Sequence, residues 1–291
     1  MPWAASAIVK DMPLRVMASR HSAFYSPLLC CLHFLKSEGH EVLYSVLGPG
    51  QRSYALIRDG EVDIMQSAVS SNWNALERGV EPLPVHFAQI NQRDGFFLLG
   101  RLPDPAFDWK KLEGRTLLAD HGAQPLAMLK YAVQHMGVEW KKIKVVNAGT
   151  PEAMAAAFQS GKGDYVHLQA PVAAGEIVAS VGASMPAVAF SSLCCAREFQ
   201  KTEPYRVFLN AYARAREWAR SAPVAEVAAA EAGFFPQIAP ELLTTAVGLY
   251  QALGCWEGGL EIPRELYEQA LNVFQSTGGI AWRHRYEEVV G

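Results

Sequence analysis

Ala-Leu-Ile-Arg-Asp-Gly-Glu-Val-Asp (residues 55–63) has a counterpart about a hundred residues later, Ala-Ala-Phe-Gln-Ser-Gly-Lys-Gly-Asp (residues 156–164). Both stretches end in Gly-x-x-Asp, and a predicted strand follows each of them. Upstream of each lies a short apolar strand pattern (residues 15–18 and 115–119), then a polar loop and a proline that suits the first turn of a helix. Two similar α/β units in one chain predict two lobes with a cleft between them, and clefts are where small molecules bind.

The composition is that of an ordinary globular protein. The chain has 291 residues, of which 50% are hydrophobic and 19% are charged, so it is long enough for one large domain or two medium ones. The formal net charge of -3 gives no reason to expect nucleic acid or an anionic membrane as a partner. Because no run of about 18 apolar residues occurs, we expect no transmembrane helix and no direct membrane insertion.

The N-terminus and the cysteines bear on localisation. Residues 1–12 lack the basic start and long apolar core of a secretory signal peptide. Two localisations stay open: periplasmic or extracellular if a leader has been removed, and cytoplasmic otherwise. The five cysteines, two adjacent pairs and Cys255, make a poor disulfide framework and have no spacing typical of zinc ligands. We therefore predict no metal site.

The alternation of strands and helices predicts an α/β fold in which each lobe is a mainly parallel sheet flanked by helices. We assign residues 1–100 and 191–291 to lobe one, and residues 101–190 to lobe two, which is inserted into it. The two crossing segments that this division requires favour a hinge over a flexible linker. Beyond about residue 200 an amphipathic helical pattern repeats, and we expect this C-terminal helical segment to pack on lobe one.

Two strand assignments set the limits of the lobes. Residues 96–101 are predicted to be a strand of lobe one, directly before the first crossing. Residues 187–191 are predicted to be the last strand, which leads back toward lobe one. These assignments rest on apolar runs between turn-rich segments.

Candidate ligand residues follow from the rule that parallel α/β sheets bind ligands beyond the carboxyl ends of their strands. Helix starts at this edge offer free N–H groups and a partial positive charge, which suits a small polar or anionic group. Three aromatic side chains in these segments could also stack on a flat ligand. The predicted ligand residues are Arg20, His21, Ser22, Phe24, Tyr25, Ser67, Ser70, Trp73, Asn91, His121, Gly122, Gln124 and Gln169.

Each candidate has a plainer interpretation. Ser26 and Ser70 could serve only as helix caps. His21 could be an ordinary surface residue of its loop, and Trp73 fits core packing better than ligand stacking. Asp120 and His121 could act as an acid/base pair, but adjacent residues rarely face the same way.

Several cofactor and enzyme signatures are missing from the sequence. It has no Gly-x-Ser-x-Gly nucleophile elbow, no Gly-x-x-x-x-Gly-Lys phosphate loop and no dinucleotide fingerprint. The lysines lie away from the predicted ligand segments, which weakens a pyridoxal phosphate mechanism. We predict no cofactor.

Five short motifs occur in a family-like order: Phe-Tyr-Ser-Pro-Leu (residues 24–28), Gly-Glu-Val-Asp-Ile (60–64), Leu-Glu-Gly-Arg-Thr (112–116), Gly-Lys-Gly-Asp-Tyr (161–165) and Gln-Ala-Pro (169–171). By these motifs the chain resembles the substrate-binding proteins of ABC importers. Within them it is similar to the NMT1/THI5-like group, which includes binders of thiamine-pyrimidine precursors, alkanesulfonates and nitrate. The resemblance covers roughly residues 14–290 and implies a two-lobed, type II periplasmic-binding fold that closes over its ligand.

The resemblance implies a monomeric solute-binding protein that delivers a small organic molecule, pyrimidine-like, sulfonate-like or related, to an ABC permease. The sequence departs from the group at Gln169, where an acidic residue is common. Cys194 and Cys195 are not the His-Cys-Cys-Cys-Phe-Cys segment of the group's pyrimidine synthases. The cleft loops carry few cations, Arg20 being the clearest, which favours a neutral heteroaromatic or weakly anionic ligand over a strong dianion.

Two other functions stay open. A cytosolic enzyme on the same fold would perform lyase or decarboxylase chemistry, with His21, Asp120 or His121 as acid and base. A ligand-sensing module would bind a small molecule without a transport partner.

Overall fold

Two sheets of the same design underlie the repeat in the sequence. A computed structural model describes residues 13–48, 50–171 and 174–291, and in these ranges ten strands form two five-stranded sheets. The strands are β1 (Leu14–Ala18), β2 (Val42–Val46), β3 (Ile64–Ser67), β4 (Val85–Asn91), β5 (Phe96–Gly100), β6 (Thr116–Leu118), β7 (Lys144–Val146), β8 (Tyr165–Gln169), β9 (Glu176–Ser180) and β10 (Ser191–Cys195).

The strand order is β2-β1-β3-β10-β4 in the first sheet and β7-β6-β8-β5-β9 in the second. In the first sheet β1 is parallel to β2 and β3, and β10 runs antiparallel to β3 and β4. In the second sheet β6 is parallel to β7 and β8, and β5 runs antiparallel to β8 and β9. The predicted α/β fold with two sheets flanked by helices is confirmed, but each sheet is mixed and not mainly parallel, because the strands next to the two crossings run antiparallel. The equivalent strand orders make the lobes structural repeats.

Helices flank both sheets. Those between strands are α1 (Ser26–Ser37), α2 (Ser53–Arg58), α3 (Val69–Leu76), α4 (Ala123–His135) and α5 (Pro151–Gln159). Those after β10 are α6 (Glu203–Ser221), α7 (Val224–Glu231), α8 (Pro240–Ala252), α9 (Arg264–Ser276) and α10 (Tyr286–Val289). α6 and α7 pack on α1, as expected of the C-terminal segment, but α9 also contacts α4 of the second lobe. Within the described ranges, no helix combines the length and apolarity needed to cross a bilayer.

The aspartate of each Gly-x-x-Asp motif anchors the start of the strand that pairs with its own strand, β1 beside β3 and β6 beside β8. Asp63 accepts a hydrogen bond from the backbone N–H of Arg15 at 2.8 Å and pairs with the Arg15 guanidinium at 2.6 Å. Asp164 accepts a hydrogen bond from the backbone N–H of Thr116, also at 2.8 Å. The repeated motif therefore has a structural role, because it satisfies backbone donors where β1 and β6 begin.

Two strand assignments made from the sequence are wrong. The strand predicted at residues 96–101 does not belong to the first sheet, because β5 pairs with β8 and β9. The strand predicted at residues 187–191 is found further along the chain, as β10 (Ser191–Cys195), and β9 precedes it. An apolar run indicates a strand but not its neighbours, which tertiary packing selects. The chain passes from the first sheet to the second between β4 and β5, and it returns between β9 and β10. The lobe limits at residues 100/101 and 190/191 stay a prediction.

The two segments that join the sheets lie side by side. The backbone N–H of Phe190 donates to the carbonyl of Asn91 at 3.1 Å, and the Arg93 guanidinium donates to the carbonyl of Gly182 at 3.3 Å. Gly182 packs so closely on Asp94 that a Cβ at this position would overlap the Asp94 carbonyl oxygen. The joint between the lobes is thus a pair of bonded, closely packed segments.

Candidate functional site

A crevice lies where the loops after β1 and β3 face those after β6 and β8. Its inner part, the inner chamber, has a volume of about 220 Å³, and its outer part, the outer cleft, has a volume of about 970 Å³. Both parts are lined by Ser19, Arg20, Gly122 and Gln169, so they form one site with a shared wall. Residues of both lobes contribute to each part, as the carboxyl-end rule predicts.

Most residues that line the inner chamber have uncharged side chains that can form hydrogen bonds. Its lining comprises Ser19, Arg20, Tyr25, Gln66, Ser67, Ala68, Ser70, Ser71, Asn74, Phe96, Gly122, Ala123, Gln124, Pro125, Gln169, Phe190 and Ser191. Among these described residues, Arg20 alone carries a charge. A chamber of this size and composition suits a small polar organic molecule.

Gln66 organises the floor of the inner chamber on the side of lobe one. Its Oε1 accepts hydrogen bonds from the backbone N–H of Ser19 at 3.0 Å and from the Ser19 hydroxyl at 2.6 Å. Its Nε2 donates to the carbonyl of Ser67 at 3.2 Å. These bonds connect the ends of β1 and β3 and leave no amide atom of Gln66 without a partner.

Ser70 and Gln124 join the two lobes across the inner chamber. The Ser70 hydroxyl at the start of α3 donates to Oε1 of Gln124 at 2.6 Å, and Nε2 of Gln124 donates to the carbonyl of Phe190. Ser26 and Ser70 were candidate helix caps, but neither caps its own helix. The Ser26 hydroxyl donates instead to the carbonyl of Ala23, and the Ser70 hydroxyl donates to Gln124.

Two helix starts point into the inner chamber. α3 follows Ala68 and α4 follows Gly122, and no side chain caps either helix. The first turns of both helices contribute to the chamber lining. Uncapped N–H groups and the positive end of the helix dipole favour a ligand atom that accepts hydrogen bonds.

An ion pair between Arg20 and Asp120 connects the lobes at the shared wall. Nη1 of Arg20, after β1, lies 2.6 Å from Oδ2 of Asp120, after β6, and Oδ1 accepts the N–H of Gly122 at 2.7 Å. Burial alone would raise the pKa of Asp120, but the charge and hydrogen bond of Arg20 outweigh it and hold this pKa below its ordinary value. The carboxylate is ionised at neutral pH, so the positive charge of Arg20 is matched within the protein.

Gln169, the last residue of β8, is a buried amide without a bonded partner. Its residue surface is 7% exposed, and among the described residues neither Oε1 nor Nε2 has a hydrogen-bond partner. Burial raises the pKa of the Tyr25 hydroxyl, and both Arg20 and the nearby Gln169 amide oppose this rise. The amide therefore lies beside the Tyr25 hydroxyl, and its two polar atoms have almost no accessible surface. Since buried polar groups are nearly always bonded, Gln169 is an exception that calls for an explanation.

Two stacked aromatic rings from the second sheet lie at the inner chamber. The ring of His167 stacks on Phe96 with 4.5 Å between ring centroids, and the guanidinium of Arg20 lies over the Phe96 ring at 5.4 Å. Burial lowers the pKa of His167 to about 3, so its ring is neutral. Arg20 is thereby held by a carboxylate and by an aromatic face.

The outer cleft has an apolar wall and a polar wall. Lobe one contributes the apolar side chains of Val46 and Leu47 together with the segment of residues 234–238. Lobe two contributes polar side chains that include Thr150 and Glu152. A ligand that extends out of the inner chamber would therefore meet an apolar surface on one side.

The two histidines proposed as acid/base groups both line the outer cleft. Nε2 of His21 donates to the carbonyl of Phe234 at 2.8 Å, and Nδ1 lies 3.1 Å from the hydroxyl of Tyr44. Burial lowers the pKa of His21. Nδ1 of His121 lies 2.8 Å from the carbonyl of Ala119, to which it donates. Both nitrogens of His21 are therefore bonded to protein groups.

Most of the predicted ligand residues lie in the crevice. Those that line the inner chamber, the outer cleft or both are Arg20, His21, Ser22, Tyr25, Ser67, Ser70, His121, Gly122, Gln124 and Gln169. The structure brings them together at one place, and their role as ligand contacts stays a prediction. Asp120, named for the enzyme alternative, lines the outer cleft but is paired with Arg20.

Three predicted ligand residues lie outside the lining of both cavities. Phe24 is fully buried in the core. Nε1 of Trp73 donates to the hydroxyl of Tyr267 at 2.8 Å, and Nδ2 of Asn91 donates to the hydroxyl of Ser191 at 2.8 Å. All three side chains are buried. Phe24 and Trp73 stand on helical turns and Asn91 ends β4, and a place near the ligand edge does not determine which way a side chain points.

The sequence did not single out Gln66, Phe96 and Phe190, which also line the inner chamber. Gln66 carries a signal that could have found it, since an amide in an otherwise apolar strand needs a partner. Phe96 and Phe190 carry none, because they flank crossing segments whose sheet partners were assigned incorrectly.

Comparison with known proteins begins with sequence. No family model matches this chain. The chain is 24% identical over 290 residues to a Bacillus subtilis (strain 168) protein described as "Putative binding protein YtlA", covering 95% of this chain and 87% of that protein.

Solved structures share the fold over nearly the whole chain. The ligand-binding component of an ABC-type import system from Staphylococcus aureus, with zinc bound, superposes with a TM-score of 0.75 at 10% identity and 97% coverage of both chains. The periplasmic aliphatic sulphonate binding protein SsuA from Escherichia coli gives a TM-score of 0.72 at 14% identity, covering 96% of this chain and 97% of that one. The desulfurization enzyme DSZB gives 0.63 at 13% identity, with 96% of both chains covered. The predicted type II periplasmic-binding fold is confirmed.

Proposed function

We propose that this chain is the solute-binding component of an ABC importer, which encloses one small organic molecule between its lobes and delivers it to a permease. The observation that carries the proposal is the crevice, since side chains of both lobes line one chamber of hydrogen-bonding groups. Contacts such as Ser70 to Gln124 already span it. A site divided between two lobes couples solute binding to closure, which a permease can recognise.

The proposed solute is neutral or weakly anionic, of a pyrimidine-like, sulfonate-like or related kind. The uncapped starts of α3 and α4 support an acceptor group on the solute. The ion pair of Arg20 with Asp120 argues against a strong dianion, because no unmatched positive charge lines the described part of the inner chamber. We also propose membership of the NMT1/THI5-like group, which the motifs from residue 24 to residue 171 support.

The proposed partners and localisation follow from this role. We expect a monomer that works outside the cytoplasmic membrane, in the periplasm or at the cell exterior, and meets its permease there. SsuA, named as periplasmic, has the same fold. We propose no cofactor, since the crevice is lined by groups suited to holding a solute.

An enzyme of the lyase or decarboxylase type is the second candidate, because DSZB has this fold. The geometry favours it less. Both nitrogens of His21 are bonded to protein groups, and Asp120 is held as an ion pair, so neither is free to accept a proton from a substrate. His121 is the remaining candidate base.

Native mass spectrometry of the gently purified protein tests the proposal. We expect one small molecule per chain, which denaturation releases and which stabilises the refolded, solute-free protein when it is added back. Conversion of the released molecule into a product by the protein would instead support the enzyme.

A variant that fills the inner chamber locates the solute. Ser71→Phe places a ring in the chamber and should abolish binding, whereas Ser37→Phe, on an exposed position at the end of α1, should bind as the wild type does. Equal binding by both variants would show that the crevice is not the site.

A further inference from the structure

The loop after β8 is bonded to lobe one through one backbone carbonyl. The carbonyl of Ala170 accepts a hydrogen bond from the hydroxyl of Tyr250 at 2.9 Å and another from the hydroxyl of Ser22 at 3.3 Å. Ser22 follows β1 and Tyr250 belongs to α8, so both donors stand on lobe one, whereas Ala170 follows β8 of the second sheet. A carbonyl oxygen has two lone pairs, and here both are used in bonds to the other lobe.

Tyr250 reaches this carbonyl from a buried position between the lobes. Its side chain is fully buried, and its ring centroid lies 5.1 Å from that of Phe24 in lobe one and 6.0 Å from that of Phe97 in β5. Burial raises the pKa of the hydroxyl, which therefore keeps its proton at neutral pH and can donate a hydrogen bond. Because an unpaired hydroxyl would be costly here, the bond favours the arrangement in which Ala170 lies against lobe one.

The helix that carries Tyr250 links one wall of the outer cleft to the joint between the sheets. α8 begins at Pro240, directly after the segment of residues 234–238 that lines the outer cleft. The turn after the helix is bonded to the first crossing, where the backbone N–H of Gln92 donates to the carbonyl of Cys255 at 3.0 Å. The Tyr250 hydroxyl therefore joins the loop after β8 to an element that already contacts both the cleft and the joint.

The bond to Ala170 should depend on the relative orientation of the lobes. Ala170 lines the outer cleft and lies outside the two segments that join the sheets, so a rotation of one lobe against the other moves it relative to α8. A hydrogen bond of 2.9 Å tolerates a lengthening of only about 0.3 Å. The bond therefore belongs to the closed arrangement and contributes to its free energy.

We infer that Tyr250 is a positioning residue of the site: through the Ala170 carbonyl it holds the loop after β8 on lobe one and so stabilises the closed arrangement of the lobes. Its side chain lies outside the linings of both cavities, so it acts without touching a solute. The inference rests on the proposed function, because it names a residue that controls release from the same site. Removing the hydroxyl should therefore affect every solute alike, whatever its chemistry.

Amide hydrogen exchange of the full, refolded and solute-free chain tests the inference. The starts of α3 and α4 have no side-chain cap, and Ser70 and Gln124, which bond each other there, are 2% and 7% exposed. Their backbone N–H groups become accessible when the lobes part, so their exchange rates report how often the lobes open. We expect exchange at residues 69–70 and 123–124 to be roughly three- to tenfold faster in Tyr250→Phe than in the wild type, which is the effect of one hydrogen bond on the opening equilibrium.

Tyr286→Phe is the matched control. The hydroxyl of Tyr286 also donates to a backbone carbonyl, that of Ile262 at 2.6 Å, but both groups belong to the C-terminal segment and lie outside the linings of both cavities. Both variants should melt slightly below the wild type, yet Tyr286→Phe should exchange at the starts of α3 and α4 as the wild type does. Unchanged exchange in Tyr250→Phe would overturn the inference. Equal acceleration in both variants would overturn it too, because general destabilisation would then explain the effect.

Retention of the natural solute distinguishes this inference from the proposed function. Native mass spectrometry during timed dialysis should show the copurified molecule leaving Tyr250→Phe roughly three- to tenfold faster than it leaves the wild type or Tyr286→Phe. Equal rates of loss would overturn the inference and leave the solute-binding role standing. A wild type that carries no small molecule would count against the proposed function, whereas exchange at the two helix starts would still decide the role of Tyr250.

Discussion

The guanidinium of Arg20 lies 2.6 Å from the carboxylate of Asp120, although the two residues belong to different lobes. Side-chain exposures of 26% and 7% place the pair partly out of solvent, and Asp120 is the more deeply buried partner. Such a pair contributes little compared with an apolar contact, but loss of one partner leaves the other charge uncompensated. The pair therefore acts mainly by favouring the arrangement in which both lobes are in contact.

Replacing one partner of this pair should destabilise the protein more than replacing both. We expect Arg20→Leu to lower the free energy of unfolding by about 1–3 kcal/mol, because Asp120 then stays buried without a counter-ion. The double variant Arg20→Leu with Asp120→Leu should lose less than the sum of the single losses. Urea unfolding of the wild type, Arg20→Leu, Asp120→Leu and the double variant completes the double-mutant cycle. Strict additivity of the two single losses would contradict the expectation.

The same pair should give the protein an acid-sensitive component of stability. The pKa of Asp120 is depressed in the folded state, so its contribution is complete above the ordinary aspartate value of about 3.9 and is lost as pH falls below it. Urea unfolding between pH 2.5 and 6 should show the wild type more stable than Asp120→Asn at the upper end of this range. The difference should shrink below about pH 4; a constant difference would argue against an ionised Asp120.

Glu231 should have the opposite pH dependence. This last residue of α7 is fully buried, neither carboxylate oxygen has a hydrogen-bond partner among the described residues, and burial raises its pKa to about 8 despite the nearby Ser26. The folded state then holds a proton that the unfolded state loses from about pH 4.3 upward, so stability falls as pH rises from there to about 8. Glu231→Gln removes this effect. Its stability relative to the wild type should increase by roughly 2–4 kcal/mol between pH 5 and pH 8 in urea unfolding; a constant offset would contradict the raised pKa.

The sequence predicted the repeated architecture because each lobe contains its own signals. The Gly-x-x-Asp motif and the apolar runs around it act within one lobe, so local patterns were enough to find β1, β3, β6 and β8. The placement of β5 depended on its pairing with β8 and β9, which no local pattern records. The loops of the site follow strands that local patterns identify, so these loops were found. Phe96 reaches the chamber from β5, whose sheet was assigned incorrectly, so it was missed.

The sequence could not predict which polar groups of the site are already bonded to other protein groups. Arg20 and Gln169 were both named as ligand residues. That the first is already matched by Asp120, while the second has no partner among the described residues, depends on contacts between segments about a hundred residues apart. Their chemistry in the site follows from these contacts and not from residue type.

The two aspartate anchors should differ in strength. Asp63 bonds both the backbone and the guanidinium of Arg15 and its side chain is 17% exposed, whereas Asp164 bonds the backbone of Thr116 and its side chain is 42% exposed. Asp164 also lies 3.8 Å from the Arg115 guanidinium, but that pair is largely exposed and longer than the 2.6 Å pair of Asp63 with Arg15. We expect Asp63→Ala to cost about 2 kcal/mol and Asp164→Ala about 1 kcal/mol, because both bonds are charge-assisted but solvent screens the exposed one more. Denaturant unfolding of both variants measures this, and the reverse order would contradict it.

Any larger residue at Gly182 should destabilise the protein. A Cβ there would overlap the carbonyl oxygen of Asp94 on the neighbouring segment, so Gly182→Ala should cost about 1–3 kcal/mol. Gly233→Ala is the matched control, because nothing lies within 4 Å of a Cβ at that position. Equal melting temperatures of the two variants would mean that the two segments joining the sheets move apart at little cost to make room for a methyl group.

The bonded joint also affects how tightly a solute can be held. Two lobes on independent tethers would sample many relative orientations, and a solute would have to offset the entropy lost when they are brought to one. Segments that are hydrogen-bonded from Phe190 to Asn91 and packed at Gly182 limit the relative orientations that the lobes can reach as they open and close. Such preorganisation leaves more of the contact free energy for affinity. Loosening the joint would thus weaken binding without touching a single residue of the crevice.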